Sequence, residues 1–513
     1  MPTTIDNLLS RMTLEEKIGQ MILASIEVSR MDAGTREFLR KNHIGNIILF
    51  GKNCAGRAAL AQLNAEIQHT VMAENGLPAL IAIDQEGGCV TRLRSEATVF
   101  PSAMVIARTG DPANAYKVGR MMGSELRALG INLDCAPVLD TLSGPAERRY
   151  YGQTVQSIAD YGCAMARGLR DAGVLACGKH FPGHEQTGAD THFGFVVDNT
   201  PRDTLMNSCL TPFCRAMSED LASVMVSHVC FPALDDTDTP CSMSAPVIQG
   251  VLRGQLGYQG LVISDGLQMH AILDQYGAPQ GCVQAALAGC DLLIIGNGGD
   301  NTDPTGKDVQ TPCIRALCDA VADGTLPMAR VDESVRRILA CKLALGWTMP
   351  ARDAASQDWS NHAALADALA ETGVTVQDPH GLLPLPAGTL FIARASGTGT
   401  GVTEGDRITE SFAPLAARRL GGQCAVYHTV EELPELADVC PAVVFAFGTR
   451  EEAAATAQAA EALAAHNPRF CAVCLAEPDA LQHYPFAAST VSAWDRTEPA
   501  MRAVCRALAN PQI

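Results

Sequence analysis

The sequence predicts two α/β domains, an N-terminal (β/α)8 TIM-like barrel followed by a smaller α/β domain. Three observations support this fold class: short apolar runs alternate with long helical patterns, a small polar stretch interrupts them, and a second alternation follows. Continuous apolar runs between helices are typical of parallel strands buried on both faces. Seven or eight such units over roughly 300 residues favour a closed barrel over an open sheet.

The barrel strands are predicted at seven apolar runs. These runs are Ile44–Phe50, Pro78–Ile83, Asn132–Pro137, Val174–Cys177, Ser223–Ser227, Gly260–Ile263 and Asp291–Gly296. The helical patterns between them include Gly56–Ala73, Asp111–Leu129 and Val155–Ala172, which are rich in Ala, Leu, Met and Glu. Residues 1–23 predict one amphipathic helix because apolar side chains recur near helical spacing as far as Met21.

The domain limits are predicted from composition. A helix over Asp332–Leu345 ends at Gly346, and Ala351–Asn361 is polar and small, as linkers are. We therefore expect a catalytic barrel at 1–346, a linker at 347–365 and a C-terminal α/β domain at 366–513. The strands predicted in the second domain are Leu390–Ala393, Gln423–Tyr427, Ala442–Phe447 and Phe470–Cys474, with a helix at Glu451–Ala465.

Composition excludes several classes of function. The chain of 513 residues has 38 Lys and Arg against 56 Asp and Glu, a net charge of 38 − 56 = −18, so neither nucleic acid nor an anionic membrane is an expected partner. No run approaches the ~20 apolar residues of a membrane span, and no secretory leader is evident. The 19 cysteines lie mostly in apolar runs, which indicates buried thiols and a cytoplasmic protein. Cys471 and Cys474 form one C-x-x-C, interpreted as part of a strand rather than a redox or metal site.

Polar residues recur directly after the predicted strands. They include Asp84 and Arg92, Asp140 and Arg149, Lys179 and His180, His228, and Asp265. Because the carboxyl ends of barrel strands meet at one end of the barrel, these side chains predict an active site there.

Two further patterns indicate catalytic chemistry. In Asp190-Thr191-His192, the carboxylate can accept one ring N–H of the imidazole and leave the other nitrogen free for proton transfer. Asp265 follows a fully apolar strand and precedes a glycine, so it can be a nucleophile, a metal ligand or a helix cap.

Four strings together resemble glycoside hydrolase family 3, specifically its β-N-acetylglucosaminidase branch. They are Asp84-Gln85-Glu86-Gly87-Gly88 with Arg92, Ala136-Pro137-Val138-Leu139-Asp140, Lys179-His180-Phe181-Pro182-Gly183-His184, and Val262-Ile263-Ser264-Asp265-Gly266-Leu267-Gln268-Met269. The segment from Glu371 to Leu385 is similar to the entry of the family's second domain. The resemblance implies that this domain is an αβα sandwich.

The resemblance also implies roles for individual residues. Asp265 would be the nucleophile and His192 the general acid/base, with Asp190 as its partner. The implied sugar-binding residues are Asp84, Arg92, Arg149, Lys179 and His180. No metal or cofactor is implied; the expected partner is a small carbohydrate. The sequence departs from the family at Cys89, where an arginine is usual, and at Glu185-Gln186, where Gly-Asp is usual.

The resemblance therefore implies a retaining exo-glycosidase that releases terminal β-linked N-acetylglucosamine, with peptidoglycan (muropeptide) recycling as the expected pathway. Phosphorolysis of the same substrates and a β-glucosidase-type family 3 activity stay open. A metal-dependent hydrolase using His180, His184, His192, His228 and Asp265 is a further alternative, although Pro182 and Gly183 oppose a helix that would present the first two histidines. A non-catalytic sugar-binding protein is the last. The oligomeric state and the aglycone are not predicted.

Overall fold

The computed structural model describes residues 5–141, 149–183, 194–296, 308–346, 348–351, 353–395, 411–436 and 440–510. The strands of its first domain are β1 Ile22–Ser25, β2 Asn46–Leu49, β3 Leu80–Ile83, β4 Gln85–Gly87, β5 Val90–Thr91, β6 Leu133–Asp134, β7 Leu175–Phe181, β8 Ser223–Val226, β9 Leu261–Ser264 and β10 Leu293–Ile295. Eight of them form one parallel sheet in the order β10-β1-β2-β3-β6-β7-β8-β9, and β4 and β5 form a separate hairpin.

The sheet closes between its two end strands, which confirms the predicted barrel. The backbone N–H of Ser264 donates to the carbonyl oxygen of Leu292 at 2.9 Å, and that of Leu267 donates to Ile294 at 3.0 Å. With these bonds each barrel strand has a neighbour on both sides, so the carboxyl ends of all eight strands lie at the same end, here called the upper end.

Each of the seven predicted runs overlaps a barrel strand, although β7 continues past its run to Phe181. The eighth strand, β1, was not predicted, and its first two residues lie in the segment predicted as a helix. Thr13 caps a new helix, with its side chain accepting from the N–H of Glu16 and the Glu16 carboxylate bonding back to the N–H of Thr13. That helix ends at Met21, and the chain continues directly into a fully buried strand. Apolar periodicity did not separate the two because buried strands and helix faces share uninterrupted apolar residues.

The helices of the first domain surround the barrel. They are α1 Ile5–Leu9, α2 Leu14–Met21, α3 Ala33–Lys41, α4 Arg57–Asn75, α5 Ala103–Arg108, α6 Ala113–Ala128, α7 Val155–Asp171, α8 Arg202–Thr204, α9 Thr211–Ser218, α10 His270–Tyr276, α11 Ala278–Ala288, α12 Gln310–Ala322 and α13 Met328–Leu345, with π-helical turns at Leu205–Cys209 and Pro246–Gln255. Helices α6 and α7 pack very closely, since a Cβ at Gly119 would lie 2.4 Å from the Met165 carbonyl oxygen. None of the helices in the described ranges has the length and apolar character needed to cross a membrane.

The second domain is the predicted sandwich of a sheet between helices. Its strands are β11 Thr375–Gln377, β12 Leu390–Arg394, β13 Gln423–Tyr427, β14 Val443–Phe447, β15 Phe470–Cys474 and β16 Ser489–Ser492, in the order β11-β16-β15-β14-β12-β13. Only β11 is antiparallel to its neighbour. Helices α14 Ser360–Thr372, α15 Phe412–Leu420, α16 Arg450–His466 and α17 Glu498–Ala509 accompany the sheet. Cys471 and Cys474 belong to the two separate apolar cores on opposite faces of the sheet, so they are not a redox or metal pair.

Helix α14 joins the two domains, and the predicted limit at residue 366 falls inside it. On this helix, His362 Nδ1 lies 2.6 Å from Oε1 of the buried Glu125 of α6. Just before the helix, the Trp359 ring is stacked under the Arg57 guanidinium at 3.8 Å. The connection between the domains is therefore packed against the barrel.

Candidate active site

The strand ends bring charged side chains from distant parts of the sequence to the upper end of the barrel. Asp84 follows β3, Lys179 and His180 lie near the carboxyl end of β7, and Asp265 follows β9. Each position comes immediately after a run of fully buried apolar residues. Apolar side chains fill the barrel core along each strand. Polar side chains can follow where the strand leaves the core.

Five charged residues at the upper end form a connected ionic network, here called the upper network. The Lys179 ammonium lies 2.6 Å from Asp84 Oδ1 and 2.7 Å from Glu86 Oε1. The Arg149 guanidinium binds both oxygens of Glu86, at 2.6 and 2.7 Å, and Arg92 Nη2 lies 3.5 Å from Asp84 Oδ2. Among the described residues, two carboxylates thus contact three cations.

The upper network keeps its members charged. Burial opposes ionisation of Asp84, but Lys179 and Arg92 outweigh it and hold the pKa of that carboxyl well below its usual value. Burial also opposes ionisation of Glu86, but Arg149 and Lys179 outweigh it and lower the pKa of Glu86 to about 2. Burial alone would also lower the pKa of Lys179, yet Asp84 and Glu86 raise it above its usual value.

His180 is held by Asp140, the last residue of the Ala-Pro-Val-Leu-Asp string. The backbone N–H of His180 donates to Asp140 Oδ1 at 2.8 Å, and the ring Nδ1 lies 2.7 Å from Asp140 Oδ2. The ring nitrogen Nδ1 is therefore committed to this carboxylate. The carboxylate thereby fixes both the orientation and the tautomer of the ring.

Asp265 lies half-buried at the end of β9. Its own turn restrains it, since the N–H of Gly266 donates to Asp265 Oδ1 at 2.7 Å and the N–H of Asp265 donates to the Val226 carbonyl at 3.1 Å. Beneath this turn the buried His228 ring contacts Ser242 Oγ at 2.7 Å through Nδ1 and the Gly266 carbonyl at 2.9 Å through Nε2. Both ring nitrogens therefore have protein partners. This removes His228 from the metal ligands that the sequence offered for a metal-dependent hydrolase.

The hairpin β4–β5 connects Asp84 to Arg92. The Gln85 side-chain oxygen accepts the backbone N–H groups of Arg92 and Leu93 at 3.0 and 3.1 Å, and the Gln85 N–H donates to Asp134 Oδ1 at 3.0 Å. Asp134 is completely buried, and burial raises the pKa of its carboxyl well above the usual value. The hairpin thus has a fixed base under the upper network.

Of the predicted site residues, Asp84, Arg92, Arg149 and Lys179 come together in one network. His180 and Asp265 lie at strand ends at the same, upper end of the barrel. The predicted dyad, Asp190 and His192, and also His184 lie outside the described residues. In the described ranges no group of three or more His, Cys, Asp or Glu side chains is arranged to hold a metal ion.

The sequence interpretation noted Glu86 and Asp140 at strand ends but assigned neither of them a role in the site. Glu86 binds two of the predicted cations, and Asp140 orients the predicted histidine. Both were visible as acidic residues at strand ends beside predicted basic ones, which is the signal that could have identified them. What the sequence lacked was the pairing of partners across neighbouring strands.

Comparisons with known proteins identify the family of the first domain. Residues 13–341 match the family model described as the glycosyl hydrolase family 3 N terminal domain. A protein named beta-hexosaminidase from Nitrosomonas eutropha is 34% identical over 270 residues, which cover 51% of this chain and 76% of that protein.

Solved structures extend the likeness to both domains. A glycoside hydrolase family 3 beta-N-acetylglucosaminidase from Paenibacillus sp. is 32% identical, with a TM-score of 0.87 over 97% of this chain and 96% of that one. The beta-N-acetylhexosaminidase from Beutenbergia cavernae is 28% identical, with a TM-score of 0.58 over 64% of this chain and 98% of that one.

Proposed function

The chain belongs to glycosyl hydrolase family 3 and is a glycosidase, and from this premise we propose that it releases terminal β-linked N-acetylglucosamine from the non-reducing end of its substrates. The names of its relatives in both comparisons support this substrate class. The observation that carries the proposal is that the upper network and Asp265 lie at the same end of the barrel, so that charged hydrogen-bonding groups and a carboxylate suited to nucleophilic attack share one end of the fold.

Sugar binding is assigned to the upper network and His180. Asp84 accepts hydrogen bonds from ring hydroxyls, and Lys179 and Arg92 donate to hydroxyl oxygens; charged partners make these bonds stronger than neutral ones. Asp140 orients the His180 ring for binding through Nδ1. Arg149, held by both oxygens of Glu86, is assigned as a further donor.

Catalysis is assigned to Asp265, with His192 and Asp190. The Asp265 carboxylate attacks the anomeric carbon, the bond to the leaving oxygen breaks, and His192 gives its proton to that oxygen. The neutral imidazole then takes a proton from water, the hydroxide attacks the anomeric carbon, and the ester bond to Asp265 breaks. Two inversions retain the β configuration. Asp190 orients the imidazole and stabilises its charged form.

The first experiment compares initial rates on an aryl β-N-acetylglucosaminide and the matching β-glucoside, with products identified in phosphate buffer. We expect rapid release of N-acetylglucosamine and little glucoside hydrolysis. Preference for the glucoside would overturn the proposed substrate class. N-acetylglucosamine 1-phosphate as the main product would show that phosphate replaces water in the second step, a reaction that the cations of the upper network favour.

The nucleophile is tested by Asp265→Ala with azide present. The variant should lose at least about 10⁴-fold in kcat, and azide should restore product formation as the α-glycosyl azide, since it attacks from the face that the carboxylate occupied. Asp274→Ala is the matched control because Asp274 is an exposed carboxylate near the same strand end, paired with His270. It should leave kcat and KM unchanged. An Asp265→Ala enzyme as active as the control would remove the assignment.

We also propose that the enzyme acts in the cytoplasm on muropeptide-derived sugars. All 19 cysteines are thiols, as expected for a reducing compartment. The kcat/KM for a disaccharide of N-acetylglucosamine and anhydro-N-acetylmuramic acid should exceed that for chitobiose. The reverse order would contradict the proposed role in peptidoglycan recycling.

A further inference from the structure

A loop of the second domain contacts the barrel beside the active site. The loop follows β16 and contains Trp494 and Asp495. Asp495 Oδ2 accepts the backbone N–H of Ser102 at 2.8 Å, and the Ser102 hydroxyl donates to the Trp494 carbonyl at 3.1 Å. Ser102 is the N-cap of helix α5 in the barrel domain, so two hydrogen bonds join this helix end to the second domain.

Asp495 is held in place on its own side of the contact. It is 4% exposed, and Thr497 donates to it through the hydroxyl at 2.9 Å and through the backbone N–H at 3.1 Å. These bonds satisfy a carboxyl that burial would otherwise penalise, and burial still raises its pKa above the usual value. A buried acceptor that is this well supported fixes the position of its remaining partner, Ser102.

Ser102 in turn limits the position of the β4–β5 hairpin. The N–H of Gly88, at the hairpin tip, donates to the Phe100 carbonyl at 2.9 Å. A Cβ at Gly88 would lie 2.8 Å from the Ser102 Cβ, and one at Gly87 would lie 3.0 Å from the Pro101 carbonyl oxygen. The two glycines allow the tip to rest directly on residues 100–102, so movement of Ser102 moves the hairpin.

The hairpin carries the sugar-binding residues at its two ends. Asp84 immediately precedes β4 and Arg92 immediately follows β5, and Gln85 ties the two ends together through the N–H of Arg92. The chain of contacts from the second domain therefore ends at two members of the upper network.

We propose that Asp495 is a positioning residue for sugar binding: through Ser102 it sets the hairpin that places Asp84 and Arg92. The inference rests on the proposed function only in taking those two residues as sugar-binding groups. It gives the second domain a part in ground-state binding. Asp265, which follows β9, keeps its hydrogen bonds with Gly266 and Val226. Loss of Asp495 therefore raises KM much more than it lowers kcat.

The test compares Asp495→Ala with His362→Ala by steady-state kinetics on the aryl glycoside that the wild type turns over best, together with the inhibition constant of the free sugar. Both variants remove a buried hydrogen-bonded contact between the barrel and a later segment, but His362 contacts Glu125 of α6 and not the hairpin. We expect Asp495→Ala to raise KM and the inhibition constant about tenfold with kcat within about twofold, the size of one lost buried hydrogen bond. His362→Ala should change neither.

Two further variants keep the inference testable if Asp495→Ala folds poorly. Asp495→Asn keeps an oxygen that can accept from Ser102 and should restore most of the affinity. Thr497→Val loosens Asp495 from within the second domain and should raise KM severalfold, with no further effect when combined with Asp495→Ala.

A wild-type KM in Asp495→Ala or Thr497→Val would overturn the inference. So would a decrease in kcat as large as the increase in KM. Failure of the proposed function would appear differently, as the wild type releasing some other sugar, while the ratio of variant to wild-type KM on that substrate still tests the role of Asp495.

Discussion

Two lysines are almost completely buried at opposite ends of the barrel, and they have opposite electrostatic environments. Lys179 at the upper end is 2% exposed and lies between Asp84 and Glu86. Lys342 on α13, at the end where β1 and β2 begin, is 1% exposed and donates to Gln20 Oε1 at 2.6 Å and to the Gly45 carbonyl at 2.9 Å. The pKa of Lys179 is raised, whereas burial lowers the pKa of Lys342 to about 7.

The difference teaches that burial alone does not identify a functional cation. The lower end also contains a charged cluster, in which Asp291 accepts hydrogen bonds from Arg253, Arg330 and Arg337. Asp291 further accepts from Ser334 and from the N–H of Val262, so both its oxygens are saturated by the protein. Asp84, by contrast, has one close bond to Lys179 and a longer contact of 3.5 Å to Arg92. A carboxylate in a ligand site keeps bonding capacity that a structural one has already used.

The largest effect is expected for Lys179→Met. Removing the ammonium leaves Asp84 and Glu86 with less compensation in a buried site, which should cost about 3 kcal/mol of unfolding free energy. It also removes a donor to the sugar, so kcat/KM should fall at least about 100-fold. Urea denaturation and steady-state kinetics measure the two losses.

Lys17→Met is the control for Lys179→Met. Lys17 is a largely buried lysine on α2, paired with Asp332 at 2.7 Å and remote from the upper network. Its loss should lower stability and leave KM and kcat unchanged. Equal kinetic effects of the two substitutions would mean that the upper network acts on activity only through overall stability.

How far the sequence predicted this site depends on the kind of contact. Asp84, Lys179 and Asp265 could be placed at one end of the barrel because each follows a buried apolar run, and strand direction fixes where such residues meet. Glu86 and Asp140 were noted at strand ends but received no role, because their importance lies in partners on other strands, which no local pattern encodes. Asp495 is further removed, since 393 residues separate it from Ser102 along the chain.

The fold shows the same limit. Four of the six strands of the second domain were located closely because turn-forming residues bound them, and β15 coincides with the predicted Phe470–Cys474. The other two, β11 and β16, were not predicted. Strand β1 was missed because it continues helix α2 without any intervening polar residue. Short-range pattern thus predicts an element when its ends are marked by polar or turn residues.

A smaller effect is expected for Glu86→Gln, and it should depend on pH. The pKa of Glu86 falls from its usual 4.5 to about 2 on folding, so its ion pairs stabilise the fold above pH 4.5 and lose that contribution as the pH falls toward 2. At pH 6 the variant should be about 2 kcal/mol less stable than the wild type. In urea denaturation at pH 3 the gap should narrow, and a gap that is constant from pH 6 to pH 3 would contradict the assigned charge state.

The smallest effect on activity is expected at the lower end, for Lys342→Met, whose effect on stability should depend on pH. The pKa of Lys342 falls from its usual 10.5 to about 7 on folding, so the folded protein holds this amine neutral above pH 7 while the unfolded chain still binds the proton. The wild type should therefore gain stability relative to the variant as the pH rises from 7 to 9.5, by at most about 1.4 kcal/mol per pH unit. Lys179→Met should show no such trend over that range because Lys179 is protonated in both states. Urea midpoints of the three proteins at pH 7, 8 and 9 decide the matter: a flat difference for Lys342→Met would mean that its amine stays charged in the fold, and the contrast between the two lysines would then be one of partners and not of charge.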